Sequence, residues 1–485
     1  MFDTSPKVLR EHQERSILNL RQSLSNGKRR PILQLPTGAG KTVVAANIVK
    51  SARSKGNRVT FCVPAVSLID QTVDSFMAEG ITDIGVIQAD HWMQDWSKPV
   101  QVASIQTIQR RRFPESDLVI VDEAHNQFKI IQTWMVSAPD VPFIGLTATP
   151  WARGLGKSWD DLLIGATVRE LIDAGYLSDF CVYAPSHPDL TGVKVTAGDY
   201  NQKQLGDVMN ESRLVGDVVN TWLRLGDSRP TLVFAVNRAH AKALQQQFEA
   251  AGVGAGYIDA YTERDERKAI ETQLNAGEIS VVCNVGCLTT GVDWDVRCIV
   301  LARPTRSEML FVQMIGRGLR TADGKSDCII LDHADNHARM GFVDQIHHDT
   351  LNTGEKPETT AAERAEPLPK ECGKCQFLKP PKVSECPKCG FKPERQCEVE
   401  HDEGELVTVK GKKSPTMAEK QAFYSGLWGY AKDKGRAPGW VSHTYREKFG
   451  VWPKNMDPMP SVPGPEVLGF IRHKNIRYAK RRATA

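Results

Sequence analysis

Twice along this 485-residue chain, short apolar runs alternate with helical patterns, and a polar phrase stands just past the end of most runs. In the first half the runs are Pro31-Ile-Leu-Gln-Leu, Val59-Thr-Phe-Cys-Val, Val100-Gln-Val-Ala, Leu118-Val-Ile-Val and Phe143-Ile-Gly-Leu. In the second they are Thr231-Leu-Val-Phe-Ala, Val253-Gly-Ala-Gly-Tyr-Ile, Ser280-Val-Val-Cys, Arg297-Cys-Ile-Val-Leu and Cys328-Ile-Ile-Leu. Runs of this kind fit strands buried on both faces, which need helices above and below a parallel sheet. The pattern predicts an α/β fold with two doubly wound parallel-sheet domains, whose ligands sit at the carboxyl ends of the strands.

The expected divisions are a first domain over 1–155, a connecting region over 156–211, a second domain over 212–345 and a linker over 346–370. The connecting region should hold a helix near Val168–Ala174 and a strand near Phe180–Ala184. The linker is expected to be flexible because it is rich in Thr, Glu, Pro and Ala and poor in apolar residues. A cysteine-rich segment follows over 371–400, then a basic, aromatic, mainly helical module over 415–485.

Composition excludes some classes of function. No run of about 18 apolar residues offers a membrane span. Met1 to Arg15 is polar and lacks the apolar centre of an export signal. A cytoplasmic chain without a membrane partner is expected, its eleven cysteines reduced or bound to metal rather than paired as disulfides. Charge is uneven: residues 405–485 hold 16 Lys/Arg against 6 Asp/Glu, so the other 404 residues carry −6 beneath the chain's net +4. A basic tail of this kind points to a polyanion partner.

Leu35-Pro-Thr-Gly-Ala-Gly-Lys-Thr42 lies between an apolar run and a helical pattern. Gly38, Ala39 and Gly40 let the backbone wrap a phosphate, Lys41 reaches the outer phosphates, and the Thr42 hydroxyl suits Mg²⁺. Leu35 stands where the general form of this motif has a glycine. Asp122 and Glu123 end another apolar run; beside a phosphate loop, Asp122 suits Mg²⁺ and Glu123 suits activation of an attacking water. Gln313, Arg317 and Arg320 share one face if their segment is helical, and the two arginines would neutralise charge in phosphoryl transfer as the domains close.

With Thr147-Ala-Thr-Pro150 and the Asp122-Glu-Ala-His125 phrase, these motifs resemble superfamily-2 helicases with a DEAH box, over about Pro6 to His337. The resemblance implies two RecA-like domains with ATP in the cleft between them. It implies that Gln13, within Leu9-Arg10 to Gln13, reads adenine. Pro64, Gln71 and Ser104-Ile-Gln-Thr107 would contact a nucleic-acid strand, Thr147 and Thr149 would couple hydrolysis to movement, and Gly291 and Asp293 would lie near the phosphates. Thr147-Ala-Thr and Gln313-Met-Ile-Gly-Arg-Gly-Leu-Arg320 look more like DNA translocases of repair, branch migration and restriction than RNA-directed relatives. The partner is then single-stranded, forked or branched DNA rather than RNA, with replication or recombination proteins as further partners. The compact chain with its cysteine-rich tail is similar to phage and prophage helicases, which would place it in the host cytoplasm. The implied function is an ATP-dependent DNA helicase or translocase. The alternatives are the motor of a restriction or nuclease complex, or an ATP-switched binding factor that does not unwind.

Cys372-x₂-Cys375 and Cys386-x₂-Cys389 have the spacing of a four-cysteine Zn²⁺ ribbon, with Cys397 a spare thiol. In the tail, Phe423, Tyr424, Trp428, Tyr430, Trp440, Tyr445, Phe449 and Trp452 interleave with cations. They suit either stacking on unpaired bases or the core of a small helical domain. Gly154-Leu-Gly-Lys157 and Asp323-Gly-Lys325 read as loops rather than as second phosphate or nuclease motifs.

Overall fold

Seven strands build the first sheet: β1 (Pro31–Gln34), β2 (Val59–Val63), β3 (Ile84–Ile87), β4 (Val100–Ser104), β5 (Leu118–Asp122), β6 (Phe143–Thr147) and β7 (Asp161–Ile164). Their order is β3-β4-β2-β5-β6-β1-β7, with every neighbouring pair parallel. The structure is a computed structural model that describes residues 8–196, 198–288, 294–355, 368–393 and 415–483, without the side chains of Ser212 and of residues from 476 onward. Strands β3 and β7 were not expected from the sequence. Ile84-Gly-Val-Ile is short and broken by a glycine, and the β7 residues are only half-buried, so neither carries a strong apolar signal. Gly145 in β6 is closely packed: a Cβ there would stand 2.8 Å from Ala124 Cβ and 2.9 Å from Ile32 Cγ1.

The connecting stretch serves both sheets. Its helix Val168–Asp173 is held by a capping box between Thr167 and Glu170. Its strand β8 (Asp179–Tyr183) joins the second sheet beside β15, after which β9 (Val195–Thr196) and β10 (Asp199–Tyr200) form a small antiparallel pair. The second sheet then takes β11 (Thr231–Phe234), β12 (Ala255–Ile258), β13 (Val281–Asn284), β14 (Cys298–Leu301) and β15 (Asp327–Asp332) in the order β12-β13-β11-β14-β15-β8, again all parallel. The expected pair of doubly wound parallel sheets is therefore present. One apolar cluster is continuous across both, through Leu171 and Leu177 of the connecting stretch and Phe311 and Leu319 of the second lobe.

After the second sheet the chain turns back to the first lobe. His348 bonds Glu308 at 2.8 Å and lies against Trp151, and Leu351 packs under the first sheet. The Asn352 carbonyl accepts from Gly156 N at 2.9 Å, within the Gly154-Leu-Gly-Lys157 phrase, which is a short 3₁₀ turn. The start of the expected linker is thus anchored at two points, the Leu351 side chain and the Asn352 carbonyl, while most of residues 346–355 are exposed. Residues 368–393 carry β16 (Lys370–Glu371) and β17 (Leu378–Lys379) and lie against the edge strand β8. There Ala184 N donates to the Gln376 carbonyl at 3.0 Å, and the Tyr183 and Phe377 rings meet edge-on.

The described residues from Pro415 onward belong to a separate compact unit. Its helices Met417–Asp433, Pro438–Phe449 and Pro465–Ala483 enclose Phe423, Tyr424, Leu427, Val441, Tyr445, Val467 and Ile471. Thr416 and Glu419 cap the first helix reciprocally, and Pro438 opens the second. Trp428 and Trp440 pack against this core, whereas Trp452 is 43% exposed. Of the two roles the sequence allows for these rings, core packing is the one most of them fill. No helix among the described residues is long and apolar enough to cross a membrane.

Candidate active site

The loop after β1 passes through two left-handed positions, Gly38 (φ +87°) and Gly40 (φ +85°), before the helix Lys41–Arg53 begins. Glycine meets two demands here. It reaches positive φ without strain, and it leaves room: a Cβ on Gly40 would overlap Gln13 Nε2, and one on Gly38 would stand 2.8 Å from Leu177 Cδ2. The buried Ala39 carbonyl accepts from Gln13 Nε2 at 3.0 Å and contacts His12 Nε2 at 2.9 Å. Gln13 Oε1 in turn accepts from Arg10 N at 3.0 Å. The Gln13 amide is thus engaged in holding the loop in its turn.

At the end of β5, Glu123 takes a left-handed φ of +48°, a conformation that costs a non-glycine residue of order 1 kcal/mol or more. That turn aims its carboxylate at Lys41, with Nζ to Oε1 at 3.0 Å, while Oε2 faces His125 Nδ1 at 3.4 Å. Burial disfavours the Glu123 charge, but Lys41 and His125 outweigh it and hold the pKa well below the usual carboxylate range. At Asp122 the same effect of burial prevails and lifts the pKa to about 6, against the opposing pull of Lys41.

A chain of polar contacts leaves this carboxylate for the second lobe. His125 Nδ1 meets Thr147 Oγ1 at 2.8 Å, which accepts from Thr149 N at 3.1 Å. Gln313 Nε2 lies 3.4 Å from His125 Nε2 and donates to Thr149 Oγ1 at 3.3 Å. Gln313 rides on the helix Glu308–Ile315, capped by Ser307. That helix ends before the arginines, which corrects the expectation of one helical face for all three residues. Gly316 fits against the phosphate loop, where a Cβ would stand 2.9 Å from Thr37 Cβ. Gly318 has no room either, with Cys328 Sγ at 2.5 Å from its virtual Cβ. The segment then runs as a turn until Arg320 pairs with Leu177 in an isolated bridge.

A cavity of about 400 Å³ nevertheless gathers the expected residues from both lobes. Gly38, Gly40, Lys41, Thr42, Asp122 and Glu123 line it from the first, and Arg317 and Arg320 from the second. Ala39 and Gln13 stand behind the wall. Gly291 and Asp293 lie outside the described residues. Arg10 and Tyr176 line the cavity without having been singled out as a pair; their contact, guanidinium over ring at 4.4 Å, joins residues 166 positions apart and leaves no local pattern. A larger cleft of about 1040 Å³ adjoins it between the lobes, with Gln71 on one side and Arg264, Arg267 and Lys268 on the other. Asp70 and Arg264 pair across it at 2.8 Å. Of the Ser104–Thr107 phrase, Ser104 and Ile105 are buried and Gln106 is exposed.

The donor set suits a polyanion with a hard divalent cation: backbone turned around glycines, a lysine, two arginines, a hydroxyl and a buried carboxylate that burial alone would leave poorly ionised. The four cysteines also converge, with sulfurs all within 4.8 Å of one another and the pairs Cys372–Cys389 and Cys375–Cys386 at 3.7 Å. Tetrahedral Zn–S bonds of about 2.3 Å need sulfurs roughly 3.8 Å apart. Both knuckles make the same turn, Gln376 N to Cys372 O at 2.9 Å and Gly390 N to Cys386 O at 2.8 Å.

Residues 6–152 match the family of the type III restriction enzyme res subunit, and residues 215–322 match the helicase conserved C-terminal domain. A 51.5 kDa protein of a Lactococcus phage is 28% identical over 394 residues, covering 79% of this chain and 83% of that one. A Saccharomyces cerevisiae protein described as the ATP-dependent helicase IRC3 is 30% identical over 361 residues, 68% of this chain but only 52% of the yeast one. Among solved structures, a fragment assigned as an HsdR subunit of a type I restriction enzyme from Vibrio vulnificus superposes with a TM-score of 0.55 at 24% identity, over 69% of this chain and 66% of that one.

The loop geometry makes a direct prediction. Gly40→Ala forces a Cβ into Gln13 and strains the left-handed turn, so affinity for a fluorescent ATP analogue should fall at least about tenfold while the fold persists. Unchanged affinity in a fluorescence titration would contradict the packing described.

Proposed function

We propose that this chain, an ATP-hydrolysing enzyme of the superfamily-2 helicase type, is a DNA translocase whose two RecA-like lobes close on ATP. The observation that carries the reading is the single cavity lined by Lys41, Thr42, Asp122 and Glu123 of one lobe and Arg317 and Arg320 of the other.

In this reading Thr42 and Asp122 hold Mg²⁺, which when bound neutralises phosphate charge. Lys41 binds the outer phosphates and in doing so leaves Glu123. Released from its cation, Glu123 becomes more basic, so the base that takes the proton of the attacking water forms only when the nucleotide is in place. Arg317 and Arg320 stabilise the charge that develops on the transferred phosphoryl group. The path Glu123–His125–Thr147, with Gln313 bonded to Thr149, would relay the state of the site to the second lobe. The domain divisions at 155, 211 and 345 are proposed on the same basis, with the connecting stretch as the hinge between lobes.

DNA is favoured by the wording of Thr147-Ala-Thr and of Gln313 to Arg320, and by the match of the first lobe to a restriction-enzyme family. That same match favours, as a second reading, the motor subunit of a restriction complex. ATPase assays with single-stranded, duplex and forked DNA and with RNA, run beside strand-displacement assays, separate the readings. DNA should stimulate turnover, and Glu123→Gln should bind ATP yet turn over at least about 100-fold more slowly. Stimulation by RNA alone would overturn the DNA assignment, and stimulation without displacement would favour the motor subunit or an ATP-switched clamp.

The cysteine cluster is proposed to hold one Zn²⁺ in a structural role, fixing a segment too small to fold on its own core against β8. Metal analysis should find one zinc per chain, lost in Cys386→Ser. The C-terminal unit is proposed to bind DNA through phosphate contacts rather than stacking, since Lys474 lies over Trp440 at 5.7 Å and Lys448 over Phe423 at 5.5 Å. Deleting residues 415–485 should weaken DNA binding and flatten its dependence on salt. An unchanged salt slope would rule that contact out.

A further inference from the structure

The Asp323-Gly-Lys325 phrase, a simple turn by its sequence, places a lysine beneath the arginine segment. The turn itself is built on Gly324 (φ +68°) and Lys325 N to Ala322 O at 3.1 Å. Arg297, paired with Asp295 at 2.8 Å, donates to the carbonyls of Asp323 and Gly324. Lys325 Nζ then points inward and donates to three backbone carbonyls: Val296 at 2.7 Å, Gly318 at 2.6 Å and Arg320 at 2.6 Å.

An ammonium has three N–H donors, and all three are used. Two of the acceptors belong to the segment that carries Arg317 and Arg320. Because the helix stops at Ile315, that segment lacks the regular hydrogen-bond ladder that would otherwise fix it. The Arg320 carbonyl also accepts from Ser178 Oγ at 3.1 Å, and Ser178 N donates to the Leu319 carbonyl at 2.7 Å. Burial pulls the Lys325 pKa below the ordinary lysine value. The three acceptors nevertheless require the protonated form, so the charge is kept for its bonds.

We propose that Lys325 is a positioning residue for phosphoryl transfer: by gathering the carbonyls of Val296, Gly318 and Arg320 it sets how far Arg317 and Arg320 reach into the nucleotide cavity. It touches neither nucleotide nor cation and acts through the arginines alone. The inference rests on the arginine roles proposed above.

The test uses the full chain and four variants. Lys325→Met keeps the length of the side chain and removes every donor. Its kcat should fall about tenfold or more, while the Kd for fluorescent ADP stays within about threefold of the parent. If Lys325 works only through the arginines, the loss in the double variant Arg320→Ala/Lys325→Met falls well short of the two single losses combined. Should Lys325→Met fail to fold, Ser178→Ala removes one donor from the same Arg320 carbonyl and should show a smaller loss of kcat with the same unchanged Kd. Additive losses, a nucleotide affinity that falls in step with turnover, or full turnover in the variant that folds would each overturn the inference. A slow Arg320→Ala beside an unimpaired Lys325→Met sinks this inference alone. Full turnover in Arg320→Ala sinks the arginine reading and this inference together.

Discussion

Everything in the larger unit is arranged around one short turn of backbone, Leu35 to Lys41. A buried turn must satisfy its own polar groups, and this one does so with side chains from elsewhere: Gln13 and His12 meet the Ala39 carbonyl. It must also leave space, and Gly38 and Gly40 leave it for Leu177, Gln13 and the Arg320 side chain. On the far side Gly316 comes close enough to Thr37 that neither lobe could carry a larger residue there. The lobes meet at this loop because Gly38 leaves room for the Arg320 side chain and Gly316 for that of Thr37.

Electrostatics adds a second layer to that steric one. Two adjacent carboxylates at the end of β5 are driven in opposite directions, Asp122 upward by burial and Glu123 downward by Lys41 and His125. Strand geometry makes this possible, since neighbouring residues leave a strand end in different directions and the left-handed turn at Glu123 turns its side chain back to the lysine. The Lys41–Glu123 pair lies within the first lobe, whereas the contact Gln313–Thr149 joins the two lobes.

Several elements were legible in the sequence because their signals are local. Apolar runs gave ten of the strands, and the Lys41, Asp122 and Cys-x₂-Cys phrases gave the chemistry of their surroundings through spacing alone. Strands β3 and β7 were not, since each is only four residues long, β3 is interrupted by Gly85 and the β7 residues are only half-buried. The end of the helix at Ile315 was missed because Arg317 and Arg320 keep helical spacing in the sequence, whereas the close packing of Gly316 on Thr37 and of Gly318 on Cys328 and Ile299 joins residues far apart in the chain. Trp428 and Trp440 carried an ambiguity that only a three-helix core could resolve.

The sequence by itself determined that this chain builds two parallel sheets, a glycine loop before a helix, a pair of adjacent carboxylates at a strand end and a four-cysteine cluster, because the signal of each lies in residues within a few positions of one another. The tertiary structure decided how those pieces meet. It placed Arg317 and Arg320 in the same cavity as Lys41, set Tyr176 beside Arg10, laid the cysteine segment along β8 and turned Lys325 under the arginine loop. These are contacts between residues far apart in the chain, fixed by close packing and by the need of buried backbone carbonyls for donors, and neither leaves a periodic mark in a sequence.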